Sequence, residues 1–315
     1  MPDIVLQTLE LTKRYGSFTA VDRLDLEVFQ GEVFGLLGPN GAGKTTTINM
    51  MCGLLKPDAG EVRLHGKPID TANRELRGRV GVCPQEVVLW ERLTCLEQLQ
   101  FMGEMYGMSR RDAHRSGEHL LEALGLEEKR RQQARYLSGG MKRRLNLALA
   151  LVHNPEVVVL DEPEAGLDPQ SRVLVREYVQ SLARRKTVIL TTHNMDEAER
   201  LADRVAIIDR GALLVVDTPE KLKHRLGAGD VIEIFFQDAQ GDLSLARERL
   251  GDLIQEFSLD GDGRTLRLRL MNAVKHLSGI LDILAGAGFK VGEVNLRANT
   301  LEDVFIQLTG RSLRE

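Results

Sequence analysis

The chain has 315 residues, a net charge of −4, 43% hydrophobic residues and 28% charged residues. That is the make-up of a globular protein large enough for two domains. The near balance of charge excludes a global pull toward nucleic acid, and no nucleic-acid partner is expected. Cys52, Cys83 and Cys95 are odd in number and lack C-x-x-C spacing, which excludes a disulfide framework or a zinc cluster and fits a reducing compartment. The opening "MPDIVLQTLE" does not read as a signal peptide, and no apolar run approaches the roughly 18 residues of a bilayer span. Action at a membrane therefore requires another chain to supply the span.

In chain order, "IVLQTLELTKRYGSFTAVDRLDLEVFQGE" alternates in a way that predicts an antiparallel β-subdomain. Residues 31–55 read as strand, glycine-rich turn and helix. The short apolar runs at 156–163, 186–193 and 204–211 read as strands buried on both faces, with helices at 171–184 and 194–202 between them. Strands alternating with helices predict a mostly parallel sheet. The pattern changes near "HRLGAGD", where Gly227 and Gly229 mark a linker. Beyond it a strand at 231–236, helix at 243–256, strand at 264–270, helix at 273–286, strand at 289–297 and final helix "LEDVFIQLTG" predict a small second α/β unit.

Three stretches carry chemistry. Gly38, Pro39, Asn40, Gly41, Ala42, Gly43, Lys44 and Thr45 spell "GPNGAGKT" between a strand and a helix, followed by Thr46. This is the G-x-x-x-x-G-K-[ST] phosphate loop. Glycines let backbone N–H groups approach phosphate oxygens, the helix N-terminus adds its dipole, Lys44 reaches the terminal phosphates and the Thr45 hydroxyl suits Mg²⁺. Asp161 and Glu162 end the strand "VVVLDEP", at the edge where ligands of such sheets bind. Alone, an Asp-Glu pair is an ordinary strand ending. Behind a phosphate loop, Asp161 can serve Mg²⁺ and Glu162 can polarise the attacking water. In "YLSGGMKRRL", Ser138 is a good N-cap and Gly139 and Gly140 expose backbone donors, while Lys142, Arg143 and Arg144 crowd positive charge into a first helical turn. The helix dipole opposes that charge. Unless nearby acids relieve it, the stretch reads as a second anion site.

The phosphate loop, "LSGG", "VVVLDEP", "GLDP" and "TTH" occur in this order in ATP-binding cassette (ABC) proteins, and the chain from residue 4 to about 220 resembles that family. The resemblance implies a P-loop nucleoside-triphosphatase fold: an α/β core with a mostly parallel sheet, an antiparallel β-subdomain and a helical subdomain, spanning 1–225. The accessory α/β domain at 226–315 would be regulatory or dimerising. It implies ATP and Mg²⁺ as ligands and a head-to-tail homodimer in which Ser138, Gly139 and Gly140 grip the γ-phosphate held by the other copy's phosphate loop. Tyr15 would stack on adenine with Val21 beside it, Gln85 would touch Mg²⁺ and the lytic water, Glu162 would be the general base, His193 would contact the γ-phosphate and Asp168 would bridge the two cassettes.

Residues 86–107, with the single Trp90 as an anchor, would receive a cytoplasmic helix of a separate membrane permease, holding the chain at the inner membrane face. "NTLEDVFIQLTGR" resembles the tail of antibiotic- and daunorubicin-resistance exporter ATPases, which implies export. The competing expectation is a soluble, non-transport ATPase of the same superfamily, tied to nucleic acid or ribosomes. Two residues depart from the family pattern. Met141 stands where glutamine is common, and Glu164 where serine or threonine is common.

Overall fold

The computed structural model describes residues 3–69, 76, 78–225, 230–238, 241–260 and 263–310. The glycines expected to mark the linker, Gly227 and Gly229, lie outside them. The chain divides into two compact units between Pro219 and Glu220, so the helix at 219–225 falls at that division and not before it.

In chain order the first unit contains β1 (Ile4–Tyr15), β2 (Phe18–Phe29), β3 (Val33–Leu37), α1 (Lys44–Met51), β4 (Ala59–Leu64), β5 (Lys67–Pro68), β6 (Val80–Cys83), α2 (Cys95–Met105), α3 (Arg110–Ala123), α4 (Gly139–Leu151), β7 (Val157–Asp161), α5 (Pro169–Leu182), β8 (Thr187–Thr192), α6 (Met195–Leu201), β9 (Arg204–Asp209) and β10 (Ala212–Asp217). Two short 3₁₀ turns, Glu127–Lys129 and Ala134–Tyr136, separate α3 from α4.

The central sheet has the order β10-β9-β3-β8-β7-β6. It is parallel except for β10, which runs antiparallel to β9. Every residue of β3, β7 and β8 is buried. Alternation sends successive side chains to opposite faces. Val158 and Leu160 therefore join one core with Leu99, Leu121, Leu145 and Leu149 of the helical subdomain. Val157 and Val159 join the other with Ile48 of α1 and with Leu6, Leu24 and Val62 of the β-subdomain. That subdomain is the antiparallel sheet β2-β1-β4-β5. In the helical subdomain, Thr94 and Glu97 form a reciprocal capping box at α2, and Ser109 caps α3. The three cysteines are buried free thiols.

The second unit contains α7 (Pro219–Arg225), β11 (Asp230–Phe236), α8 (Leu243–Leu250), β12 (Glu256–Leu259), β13 (Thr265–Leu270), α9 (Ala273–Gly286), β14 (Val291–Ala298) and α10 (Leu301–Thr309). Its sheet is antiparallel in the order β12-β13-β11-β14. The helix predicted over 243–256 ends at Leu250, where Gly251 takes a positive φ of 47°. The residues after it form an extra edge strand, β12. Ile232, Ile234, Leu266 and Leu268 face α8 and α9 across a core with Ala246, Leu250, Ile280 and Leu284.

Candidate functional site

The site stands at the C-terminal ends of β3, β7 and β8, where the parallel strands stop together. β3 leads into the loop 38–43, and α1 begins at Lys44. Gly43 has φ 103°, and a Cβ there would lie 2.4 Å from the Ala20 carbonyl oxygen. Only glycine allows that approach. Val21 is buried directly under this loop, 3.4 Å from the same imagined Cβ. It thus supports the phosphate loop from below and does not line the open cleft where adenine was expected to lie beside it. The cleft, of about 340 Å³, is lined by Tyr15, Phe18, Ala20, Asn40, Gly41, Gly43, Lys44, Thr45, Thr46, Gln85 and Glu162. Tyr15 and Phe18 pair across the β1–β2 turn and are 53% and 60% exposed. Phe18 gives the cleft a second aromatic face that sequence reasoning missed; its signal was the "RYGSF" turn, with both rings within four residues.

Lys44 is buried, and its Nζ donates to the carbonyls of Gly38 at 2.7 Å and Pro39 at 3.0 Å. Burial pushes its pKa down, while the nearby Glu162 and Asp161 carboxylates pull it back up. An ammonium resting on two neutral carbonyls is ready to exchange them for phosphate oxygens. Asp161, at the end of β7, divides its oxygens. Oδ1 accepts from the Thr191 hydroxyl, and Oδ2 accepts from the Thr45 hydroxyl at 3.3 Å. The Thr45 and Asp161 oxygens are a hard donor pair at the mouth of the loop. Mg²⁺ takes one or two carboxylates and completes its shell with phosphates and water, so this pair fits it.

Glu162 has φ 49°, a strained conformation for a side chain of this size, and is 6% exposed. The strain is held by neighbours. Its N–H donates to the carbonyl and hydroxyl oxygens of Thr191, both at 3.1 Å. Its carboxylate is oriented from two sides: His193 Nδ1 lies 2.8 Å from Oε1, and Gln85 Nε2 donates to Oε2 at 3.1 Å. A carboxylate has about four acceptor positions, so two remain for a water. Gln85 gives its amide to Glu162, which leaves its carboxamide oxygen for a cation. The structure therefore brings Lys44, Thr45, Gln85, Asp161, Glu162 and His193 together, and adds Thr191, which sequence reasoning passed over within "TTH".

Ser138 caps α4 by accepting from the Met141 N–H at 3.3 Å. Ser138 and Gly139 are exposed and line no part of the cleft in their own chain. Gly140 is buried against α5, where a Cβ would lie 2.4 Å from Ser171 Oγ and 2.9 Å from Asp168 Oδ2. Asp168 is the N-cap of α5, and the bond from the Ser171 N–H at 3.0 Å lowers its pKa. The basic run at the start of α4 is not the open positive patch the sequence suggested. Arg143 and Arg144 are 4% and 7% exposed. Arg144 donates inward to the Leu124 and Gly125 carbonyls, and Lys142 lies 4.0 Å from Glu91. The repulsion with the helix dipole is offset by these internal acceptors.

Both departures from the family pattern have local partners. Met141 packs against the helical-subdomain core. Glu164 is buried and accepts a bidentate pair from Arg176 at 2.9 and 2.7 Å.

A phosphate loop, an adjacent hydroxyl–carboxylate pair and a buried glutamate oriented by histidine and glutamine define a phosphate-loop nucleoside-triphosphatase. Comparison with known proteins narrows this. A family model for ABC transporters matches residues 21–165. The Nod factor export ATP-binding protein I of Paraburkholderia xenovorans is 42% identical over 316 residues, covering 100% of both chains. The linearmycin resistance ATP-binding protein LnrL of Bacillus subtilis is 36% identical and covers 99% of this chain and 100% of its own. A solved ATP-binding subunit of an ABC transporter, 28% identical, superposes with a TM-score of 0.66 over 71% of this chain and 93% of that one. The chain belongs to the ABC transporter family. It is an ATP-binding and ATP-hydrolysing subunit of the exporter type, and this sets aside the non-transport alternative.

Proposed function

We propose that two copies of the chain close head to tail around two ATP molecules with Mg²⁺, and that closure drives separate membrane permease subunits to export a cargo. The observation that carries this reading is that Ser138 and Gly139, exposed anion-binding groups at the N-terminus of α4, do not line the cleft of their own chain. Their natural ligand is then a γ-phosphate held elsewhere, on a second copy, with Asp168 beside the junction.

In each site Lys44 neutralises charge developing on the phosphoryl oxygens, and the phosphate loop holds the nucleotide in line. Glu162 takes a proton from the attacking water, and His193 and Gln85 hold that carboxylate in position. Mg²⁺, held by Thr45, Asp161 and Gln85, would supply charge neutralisation between the phosphates. Tyr15, with Phe18 as a second aromatic face, offers a stacking surface for adenine.

Among the described residues no helix is long and apolar enough to cross a membrane. Association with the inner membrane face would run through the permease. The exposed Trp90 and Phe101, packed edge to face at 5.2 Å just after Gln85, are the docking anchors this reading assigns. The C-terminal unit, expected over 226–315 and compact from Glu220 onward, would be an accessory domain with a regulatory or dimerising part.

The test is ATP-driven dimerisation. Glu162→Gln removes the base and lets an ATP-closed dimer accumulate, read by light scattering. Adding Ser138→Arg fills the position of the trans γ-phosphate. The double variant is expected to bind ATP and stay monomeric. Dimerisation equal to that of the single variant overturns the head-to-tail reading.

A further inference from the structure

Arg143 is the most heavily bonded side chain near the site, and none of the chemistry above uses it. It projects from the second turn of α4, the helix capped by Ser138. Its guanidinium is buried, and every bond it makes goes to a main-chain carbonyl. Nη1 donates to Pro84 at 2.6 Å and Gln85 at 2.8 Å. Nη2 donates to Asp161 at 2.6 Å and Glu162 at 2.7 Å, and Nε donates to Pro163 at 3.4 Å. Two consecutive carbonyls of the loop after β6 and three consecutive carbonyls at the end of β7 thus converge on one planar fork.

Burying a cation is costly unless its donors are satisfied. Five carbonyl dipoles do that here, in a geometry only a guanidinium matches. The consequence is local. The Gln85 side chain donates to the Glu162 carboxylate at 3.1 Å, and Arg143 clamps the backbone at both ends of that pair. One of the clamped carbonyls belongs to Glu162, whose backbone is held at φ 49°. A strained residue persists only where its surroundings over-determine it, and Arg143 adds to that constraint from outside the sheet, sharing the Glu162 carbonyl with the Ala165 N–H at 3.1 Å.

We infer that Arg143 is a positioning residue for hydrolysis: it fixes the Gln85–Glu162 pair and ties it mechanically to the helix that carries Ser138 and Gly140. This rests on the reading of Glu162 as the general base. A shift of α4 when its N-terminus engages phosphate is then transmitted through one side chain to the catalytic carboxylate of the same subunit. Arg143 is not among the residues that line the cleft, so its loss should change turnover and leave nucleotide binding in place.

The experiment is a kinetic cycle on the full chain with Arg143→Gln, Glu162→Gln and the double variant, measuring MgATP turnover, KM and affinity for a fluorescent ATP analogue. Arg143→Gln is expected to lower kcat by about 100-fold, the scale of a misplacement near 1 Å, with KM and analogue affinity within about twofold. On the Glu162→Gln background the same change should lower kcat by less than about threefold, because the two act as one unit. Arg143→Lys keeps charge and fold but cannot span both loops, and its kcat should fall between the wild type and Arg143→Gln.

Turnover of Arg143→Gln within twofold of wild type would overturn the inference. So would a full, additive loss on the Glu162→Gln background, or a parallel loss of analogue affinity. Unfolding of both Arg143 variants at assay temperature would also count against it, since Arg143 would then be a folding element first. Wild-type turnover by Glu162→Gln alone would instead remove the base assignment and is separable from all of these outcomes.

Discussion

Two of the three sheets among the described residues, the central sheet of the first unit and the sheet of the second, handle polar groups in opposite ways. In the first unit, β3, β7 and β8 are buried on both faces, and their polar side chains collect at the strand ends, where Asp161, Glu162 and Thr191 meet the phosphate loop. In the second unit one face of the antiparallel sheet is core, and the other carries charge along its length. Glu233 accepts from Arg267 at 3.2 Å and from Arg297 at 3.0 Å, and Arg297 also grips Asp303 at 2.6 and 2.9 Å. Asp303 and Glu233 hold the Arg297 guanidinium firmly protonated. The first arrangement leaves donors to exchange with a ligand; the second spends its charges on one another. The lesson is that charge content does not locate a site. What locates it is a polar group whose present partner a ligand can replace.

Lys44→Ala breaks the comparison hardest, because it removes the one exchangeable cation of the phosphate loop. ATP turnover should fall by at least about 100-fold, with a large loss of nucleotide affinity and an unchanged thermal midpoint. Phosphate release and fluorescent-nucleotide titration check it.

Glu233→Ala tests the other side. It strips two arginines of a shared acceptor, and with those arginines partly exposed the cost should be about 2 kcal/mol, below that of a fully buried pair. Urea unfolding measures it. The ATPase rate per folded molecule should stay within about twofold.

Glu197 sharpens the comparison least visibly. It is buried on α6, accepts from the Thr192 hydroxyl at 2.6 Å, and has a second oxygen without a hydrogen-bond partner. Burial pushes its pKa up to about 7, with Glu164 and Glu162 adding to the rise and the Thr192 bond and Arg176 opposing it. A carboxyl raised above its unfolded value stabilises the fold at low pH and loses that contribution as pH climbs through its folded pKa. Stability should therefore decline between about pH 4.5 and pH 7. Glu197→Gln should flatten the decline, which unfolding curves at pH 5, 6, 7 and 8 would show.

The parallel sheet and the phosphate loop were legible because both are local. Continuous apolar runs such as Val157–Leu160 mark strands covered on two sides, and "GPNGAGKT" has one sensible use between a strand and a helix. What stayed hidden was long-range. Nothing in "GGMKRRL" says that Arg143 finds its acceptors at Pro84 and Gln85, 59 and 58 residues earlier, so three basic residues looked like one patch. Val21 was placed beside adenine on the strength of the family resemblance alone, and the fold tucks it under Gly43. The helix predicted to run through 256 stopped early because Gly251 turns the backbone, and the next residues found a free edge on β13. Periodicity cannot report an available edge.

The most direct test of the account is steady-state MgATP hydrolysis by Glu162→Gln, read beside equilibrium ATP binding. The substitution keeps the shape of the side chain and one acceptor for His193 while removing the base. The account predicts wild-type affinity for ATP and a turnover lower by about 100-fold or more. Turnover within a few-fold of wild type, with ATP still bound, would contradict it.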